Sequence, residues 1–201
     1  TGIGFPGEAS GRLVKPRGDW KPFALATLSF GYGLSVTPLQ LARAYAAIAN
    51  HGVMLPVSLL KVETIPQGKQ VMNRQIADEM LAMLETVVNT KGSKNFKAAL
   101  GWRAAVPGYR VAGKTGTSKL LGAHGYERRY TASFVGIAPV SNPRFVVAVM
   151  IRDPRGKLYY GGDVASPIFE RIMEGTLRIM DVPPDDTTSL QKTTSTTKKN
   201  A

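Results

Sequence analysis

The run from Phe145 to Ile151, Phe-Val-Val-Ala-Val-Met-Ile, contains no polar side chain and is rich in β-branched residues. A strand with one solvated face alternates apolar and polar positions, so a run without alternation predicts a strand covered on both faces. That requirement limits the fold: helices must lie on each side of a sheet in which this strand is central. Two further segments, Tyr109 to Ala112 and Thr131 to Ala138, have the same β-branched and aromatic character and are set off by Gly, Pro and Asn,. Three consecutive strands are the expectation.

The covering helices are legible from their start signals. Thr37-Pro38 supplies an N-cap followed by proline at the first helical position, and Leu41, Tyr45 and Ile48 follow at helical spacing until Gly52,. A second helix is predicted from Asn73, with Ile76, Met80, Met83, Leu84 and Val87 as its apolar stripe and Lys91-Gly92 as its close,. A last helix fits from about Ala165 to Met180, where Phe169, Ile172, Met173, Thr176 and Met180 share a face,. The opening from Gly2 to Trp20 is broken by glycines and reads as surface loop,. From Pro183 the chain turns to Asp, Thr, Ser and Lys, which cannot offset the entropy of ordering, so residues 185–201 are expected to form a disordered polar tail behind a folded unit of residues 1–184,.

With 201 residues and 43% hydrophobic composition the chain can bury one core,. Its formal charge of +12 predicts attraction to anions: phosphates, membrane head groups or carboxylate-bearing polymers,. The absence of cysteine excludes disulfides and Cys-based zinc sites, and with His51 and His124 as the sole histidines no metal centre is expected,. No apolar run approaches membrane-spanning length and no signal-peptide pattern is present,. A nucleic-acid-binding module would account for the charge, but the basic residues are spread along the chain without a recognition-helix, RNA-recognition or OB pattern,.

The stretch that stands out chemically is Lys114-Thr115-Gly116-Thr117, placed where a strand is expected. Thr115 and Thr117 alternate, which puts both hydroxyls on one face, and Gly116 removes a side chain that would block an approaching backbone. Such an arrangement suits a peptide carboxylate laid along the strand. An edge strand with a solvated lysine is the bland alternative for the bare tripeptide. K-T-G is also one of the motifs of penicillin-binding proteins and serine β-lactamases. Around it, Thr1-Gly2-Ile3-Gly4-Phe5-Pro6-Gly7-Glu8, Ser29-Phe30-Gly31-Tyr32-Gly33, Thr37-Pro38-Leu39-Gln40-Leu41-Ala42 and Tyr159-Tyr160-Gly161-Gly162 resemble, in order, the class B division transpeptidases of the penicillin-binding protein 3 type.

The resemblance implies an α/β (α+β) fold, an antiparallel sheet covered by helices on both faces as in the penicillin-binding transpeptidases and serine β-lactamases, present here in its C-terminal portion. It implies peptidoglycan D,D-transpeptidation through a serine acyl-enzyme that β-lactams also trap. By position, Lys114 would hold charge beside nucleophile and substrate, Thr115 and Thr117 would hydrogen-bond the substrate carboxylate across Gly116, and the Thr117 N–H would be an oxyanion donor. Tyr32, Tyr160 and Gly161 resemble cleft-lining positions, although each tyrosine alone reads equally as a packing aromatic. No cofactor is implied. Stem peptides, β-lactams and divisome proteins including a glycosyltransferase are the implied partners, nucleic acid is not, and the setting would be the periplasmic face of the bacterial inner membrane, reached through an upstream anchor.

In this family the serine of S-x-x-K lies upstream of the segment with which this chain begins. Three matches to the pattern occur here, at Ser58-Leu59-Leu60-Lys61, Ser189-Leu190-Gln191-Lys192 and Ser195-Thr196-Thr197-Lys198. The first follows Pro56 in an extended stretch, where residues three apart point to opposite faces; the others lie in the expected tail. Ser93-Lys94-Asn95 matches S-x-N in the wrong place in the family order. The segment from Lys119 to Arg129 reads either as a solvated hairpin or as a rim that attracts an anionic glycan-peptide. His124, within it, has nothing to orient it as a catalyst. A serine β-lactamase or a penicillin-recognising sensor on the same fold would need a deacylating base, or its absence, to be identified elsewhere.

Overall fold

The computed structural model describes residues 1–13, 18–89, 100–123 and 125–186. Its centre is a three-stranded antiparallel sheet of β5 (Ala112–Gly122), β6 (Gly125–Ala138) and β7 (Phe145–Arg152), in the order β5-β6-β7. Side-chain alternation along β6 divides the core in two. Phe134 and Ala138 join Val111 of the approach to β5 and Val149 of β7 against Phe169, Met173 and Leu177 of α5 (Ser166–Ile179). Ile137 points the other way, with Ala112 and Val140, onto Ile48 of α2 (Pro38–Ala49) and Leu81 of α3 (Arg74–Thr86). The rings of Phe134 and Phe169 lie 4.8 Å apart, both fully buried. A Cβ on Gly136 would run into the Phe169 ring, so the glycine admits α5 to the sheet. Burying a ring such as Phe169 contributes about 1.5–3 kcal/mol.

The helix starts are those the residues announce. Thr37 accepts from the Gln40 N–H while the Gln40 side chain accepts from the Thr37 N–H, a reciprocal capping box, with Pro38 at the first turn,. Asn73 accepts from the Gln75 N–H at the start of α3,. Two short ribbons, β1 (Arg12–Leu13) with β2 (Leu34–Ser35) and β3 (Val53–Met54) with β4 (Lys69–Gln70), flank the sheet. Helix α1 (Pro22–Ser29), which the periodicity did not announce, buries none of its residues, and the turn of helix α4 (Gly161–Val164) precedes α5.

Several expectations are corrected. Among the described residues β7 pairs with β6 alone and β6 lies between the other two strands; α2 and α5 contact β7 from opposite faces, as its lack of alternation predicts, and its residues are mostly half-buried. The first strand begins at Ala112 rather than Tyr109, since main-chain groups ahead of it are taken by other partners: the Tyr109 N–H donates to the Val106 carbonyl at 3.1 Å and the Arg110 N–H to Asp185 at 2.6 Å. It then continues through the glycines to Gly122, because pairing with β6 overrides their low strand propensity,. In α3 the buried face is Ala77 and Leu81 with Val88 beyond its end, whereas Ile76 and Met83 point outward at 51% and 60% exposure. In α5 Leu177 takes the place expected of Ile172 and Met180. The segment containing Ser58 is irregular rather than extended, and the Ser58 hydroxyl closes a local turn, accepting from the Leu60 N–H and donating to its carbonyl.

At the C-terminal end Asp185 accepts from both the Arg110 and Ser141 N–H groups, so ordered contacts extend to the first residues of the expected tail. Residues 187–201, with Ser189 and Ser195, lie outside the described residues, as do His124, Lys91-Gly92 and Ser93-Lys94-Asn95. Among the described residues no helix is long and apolar enough to cross a membrane.

Candidate functional site

Among the described residues strand β5 has no partner on its outer side, and Lys114, Thr115, Gly116 and Thr117 pair with Val135, Phe134, Ser133 and Ala132 of β6. In an antiparallel edge strand half of the main-chain groups face the neighbour and half face outward, ready to pair with another extended chain. Thr115 and Thr117 share the α5 face of the sheet with Phe134, and Lys114 stands on the opposite face with Val135. The outer edge, rather than either face, is therefore where a ligand can meet the lysine and both threonines.

The Thr117 hydroxyl accepts a hydrogen bond of 3.0 Å from the N–H of Gly161, the first residue of α4. A hydroxyl carries one donor and two acceptor sites, so this bond fixes the oxygen and leaves its proton free to be donated. Gly161 is buried, and a Cβ there would run into the main chain of Gly116 and the carbonyl of Ser133. Its neighbour Gly162 lies close over the Thr115 methyl. Gly161 is thus packed against Gly116 and holds the Thr117 oxygen. At Gly116 a Cβ would collide with the Ser133 hydroxyl, so the missing side chain makes room within the sheet.

Lys114 is exposed and its ammonium donates to the Thr115 carbonyl at 3.1 Å. Among the described residues it forms no ion pair. Its charge is uncompensated beside the strand edge.

A stack of tyrosines borders the strand. Tyr130, the β6 partner of Lys119, lies with its ring 4.2 Å from Tyr159, which lies 4.4 Å from Tyr160. Tyr160 is 54% exposed, so a packing role buried in the core is excluded for it. The Tyr159 hydroxyl donates to that of Tyr160 at 3.1 Å; this bond, with some desolvation, favours the neutral phenol and pushes Tyr159 up to about 12,. Because Tyr160 is followed by Gly161, the stack is tied to the Thr117 hydroxyl through one peptide. Sequence reasoning missed Tyr130 and Tyr159 as members of one wall; they are far apart in the chain, and no local pattern marks Tyr130.

Tyr32 sits elsewhere, held between Gly31 and Gly33, whose φ values of 94° and 84° make a turn that favours glycine,. Its ring packs edge-on against Tyr126 at 5.6 Å and against Phe30 at 5.7 Å. Tyr126 belongs to the segment from Lys119 to Arg129, which is a two-stranded extension of β5 and β6 beyond the reach of β7. The tyrosines expected in one cleft therefore flank the strand at two places.

Residues 1–174 match the family model described as the penicillin-binding protein transpeptidase domain. The chain is 44% identical over 193 residues to the peptidoglycan D,D-transpeptidase FtsI of Escherichia coli K12, an alignment covering 96% of this chain and 32% of the relative. It is 43% identical over 182 residues to the probable peptidoglycan D,D-transpeptidase PenA of Neisseria meningitidis serogroup A, covering 90% of this chain and 30% of that protein. Among solved structures, the apo transpeptidase domain of penicillin-binding protein 3 from Burkholderia pseudomallei superposes with a TM-score of 0.81 at 45% identity, covering 91% of this chain and 54% of that one. The chain thus spans about a third of the length of these curated relatives.

Proposed function

This chain belongs to the penicillin-binding protein transpeptidase domain family, and on that premise we propose that it supplies the substrate strand of a peptidoglycan D,D-transpeptidase acting in septal wall synthesis. In this reaction a serine oxygen attacks the carbonyl carbon between two terminal D-alanines. The C–N bond breaks and the last D-alanine leaves with a proton on its nitrogen. An amine of a neighbouring stem then attacks the resulting ester, forming the cross-link and restoring the serine hydroxyl. The nucleophile and its lysine belong to the part of the relatives' length that this chain does not span.

The chain's own residues bind and orient. Lys114 brings a positive charge to the reacting centre, and the Thr117 N–H is the oxyanion donor that the family position assigns to it. Thr115 and Thr117 donate hydrogen bonds to the terminal carboxylate, with Gly161 holding the Thr117 oxygen in place,. Tyr160 and its stacked partners form an apolar wall beside that carboxylate, and Tyr32 flanks the continuation of the strand. The chemistry uses no cofactor. β-Lactams would enter as substrate mimics, and an anchor upstream would place the domain on the periplasmic side of the inner membrane beside a glycosyltransferase and other divisome proteins.

The observation that carries this reading is the Thr117 hydroxyl, fixed by a main-chain N–H on a strand that, among the described residues, is an edge and carries a lysine without an ion pair. A fluorescent penicillin tests it: the full-length protein should retain a stable adduct, and this chain alone should take up none by mass spectrometry. Rapid loss of the adduct would turn the assignment to a β-lactamase. An adduct on Ser58 or Ser118 would overturn the assignment of the nucleophile to an upstream segment.

A further inference from the structure

Helix α4 is a single turn of four residues, too short to hold its own geometry, so contacts must set its place,. Gly161 packs on β5 and β6, and Gly162 lies close to both the Thr115 methyl and the Leu100 carbonyl, where a Cβ would collide with the latter. Asp163, the third residue of the turn, donates its N–H to the Tyr160 carbonyl at 2.9 Å and brings its carboxylate to 3.7 Å from the Arg103 guanidinium. Arg103 stands on a 3-10 turn, Trp102–Ala104, that is fixed to the core. Ala104 is fully buried in the cluster that contains Phe169, and the Gly101 N–H donates to the Val87 carbonyl at 3.1 Å. The guanidinium also lies 5.2 Å from the centre of the Trp102 ring, a cation–π contact that holds it over the turn,. Among the described residues neither Arg103 nor Asp163 forms a second ion pair.

Resting on the function proposed above, we infer that Arg103 and Asp163 are positioning residues for the reaction: their pair sets α4 against β5 and so fixes the Thr117 hydroxyl through the Gly161 N–H. The contacts are continuous. They run from Arg103 to Asp163 at 3.7 Å, back two residues along the turn to Gly161, and from its N–H to the Thr117 oxygen at 3.0 Å. A partly exposed pair at this distance is worth at most about a fivefold shift in an equilibrium, too little to matter much to folding,. The same fivefold matters where a hydroxyl must be aimed, because small misplacements of a binding group are costly in rate. Charge adds to the argument. Without Arg103, Asp163 would leave a negative charge two residues from the Gly161 N–H, near which an anionic substrate binds; the guanidinium offsets it.

The test measures second-order acylation by a fluorescent penicillin on the full-length protein, with thermal melts alongside. Arg103→Gln and Asp163→Asn should each lower the rate by about fivefold, with the melting temperature down by no more than about 4 °C, and the ratio to wild type should shrink at high salt. The charge-swapped double variant Arg103→Asp/Asp163→Arg should recover most of the loss. Residues that act through Thr117 are non-additive with it, so Asp163→Asn placed on Thr117→Val should cost nothing further. Unchanged rates in the single variants, a swapped variant no better than either of them, or the same fold-loss with valine at 117 as with threonine would overturn the positioning role while leaving the transpeptidase reading in place. A wild-type protein that takes up no penicillin would instead overturn the function on which that role rests.

Discussion

Replacing Thr117 by valine keeps the β-branched shape that suits a strand and removes the oxygen that accepts from the Gly161 N–H and that the proposed substrate contact requires,. Two separate costs follow. The first falls on the fold: Gly161 is buried, so its N–H loses its acceptor, at about 1–3 kcal/mol. For a domain of this size that is roughly 2–12 °C of melting temperature. The second falls on the reaction, where a hydrogen bond to a carboxylate is lost at about 1.5–3 kcal/mol, or roughly one to two decades in acylation efficiency. Thr117→Ser keeps the oxygen and loses one half-buried methyl, at no more than about 0.8 kcal/mol. Thermal melts and second-order rates of acylation by a fluorescent penicillin, measured on the full-length protein, separate the two costs. Serine should lie near wild type in both, and valine should fall in both. A valine variant as reactive as wild type would remove the Thr117 hydroxyl from the site, and one that melts at the wild-type temperature would show that Gly161 does not depend on it.

Lys114→Ala should reduce acylation by about two decades, as expected where a charge beside a developing oxyanion is lost, and Lys114→Arg should recover part of it; an unchanged rate would make Lys114 a surface lysine. Gly161→Ala forces a Cβ into the main chain of Gly116 and the carbonyl of Ser133, and should lower stability by about 1–3 kcal/mol in a denaturant melt, with a matching loss in acylation,. Tyr160→Phe removes the acceptor that keeps Tyr159 protonated, so the phenolate titration of Tyr159 should move down from about 12 toward the ordinary 10.0, read by ultraviolet absorbance. The sign is that of a raised folded-state pKa: the contribution to stability is fully present below the ordinary phenol range and is lost as pH rises through about 12. In the phenylalanine variant that loss begins at lower pH,.

Where sequence and structure agree, the signal is local. The capping box of Thr37 and Gln40, the proline at 38 and the cap at Asn73 are satisfied within one turn, so their residues suffice to place α2 and α3. Where they disagree, a choice between near-equal alternatives had to be made elsewhere in the molecule. Helix α3 offers two apolar stripes about one residue apart, one through Ile76 and Met83 and one through Ala77 and Leu81. The helix settles between the two: Leu81 meets Ile137 and Ala112 with Met80 and Leu84 packed beside it, while Ile76 and Met83 turn outward. Helix α5 makes the same kind of choice when Leu177 joins Phe169 and Met173 under Phe134.

The candidate site divides along the same line. The residues from Lys114 to Thr117 mark themselves by type and spacing, and the separate segments that resemble the family carry its fold and its chemistry, because a strand's alternation and a motif's composition are properties of neighbours in the chain. The Gly161 N–H on the Thr117 hydroxyl, the stacking of Tyr130 on Tyr159 and the meeting of Tyr32 with Tyr126 join residues far apart in sequence. Each depends on where a strand ends up in the sheet and how closely a loop can approach it. Those are distances that only packing sets, and packing is decided by the whole core at once.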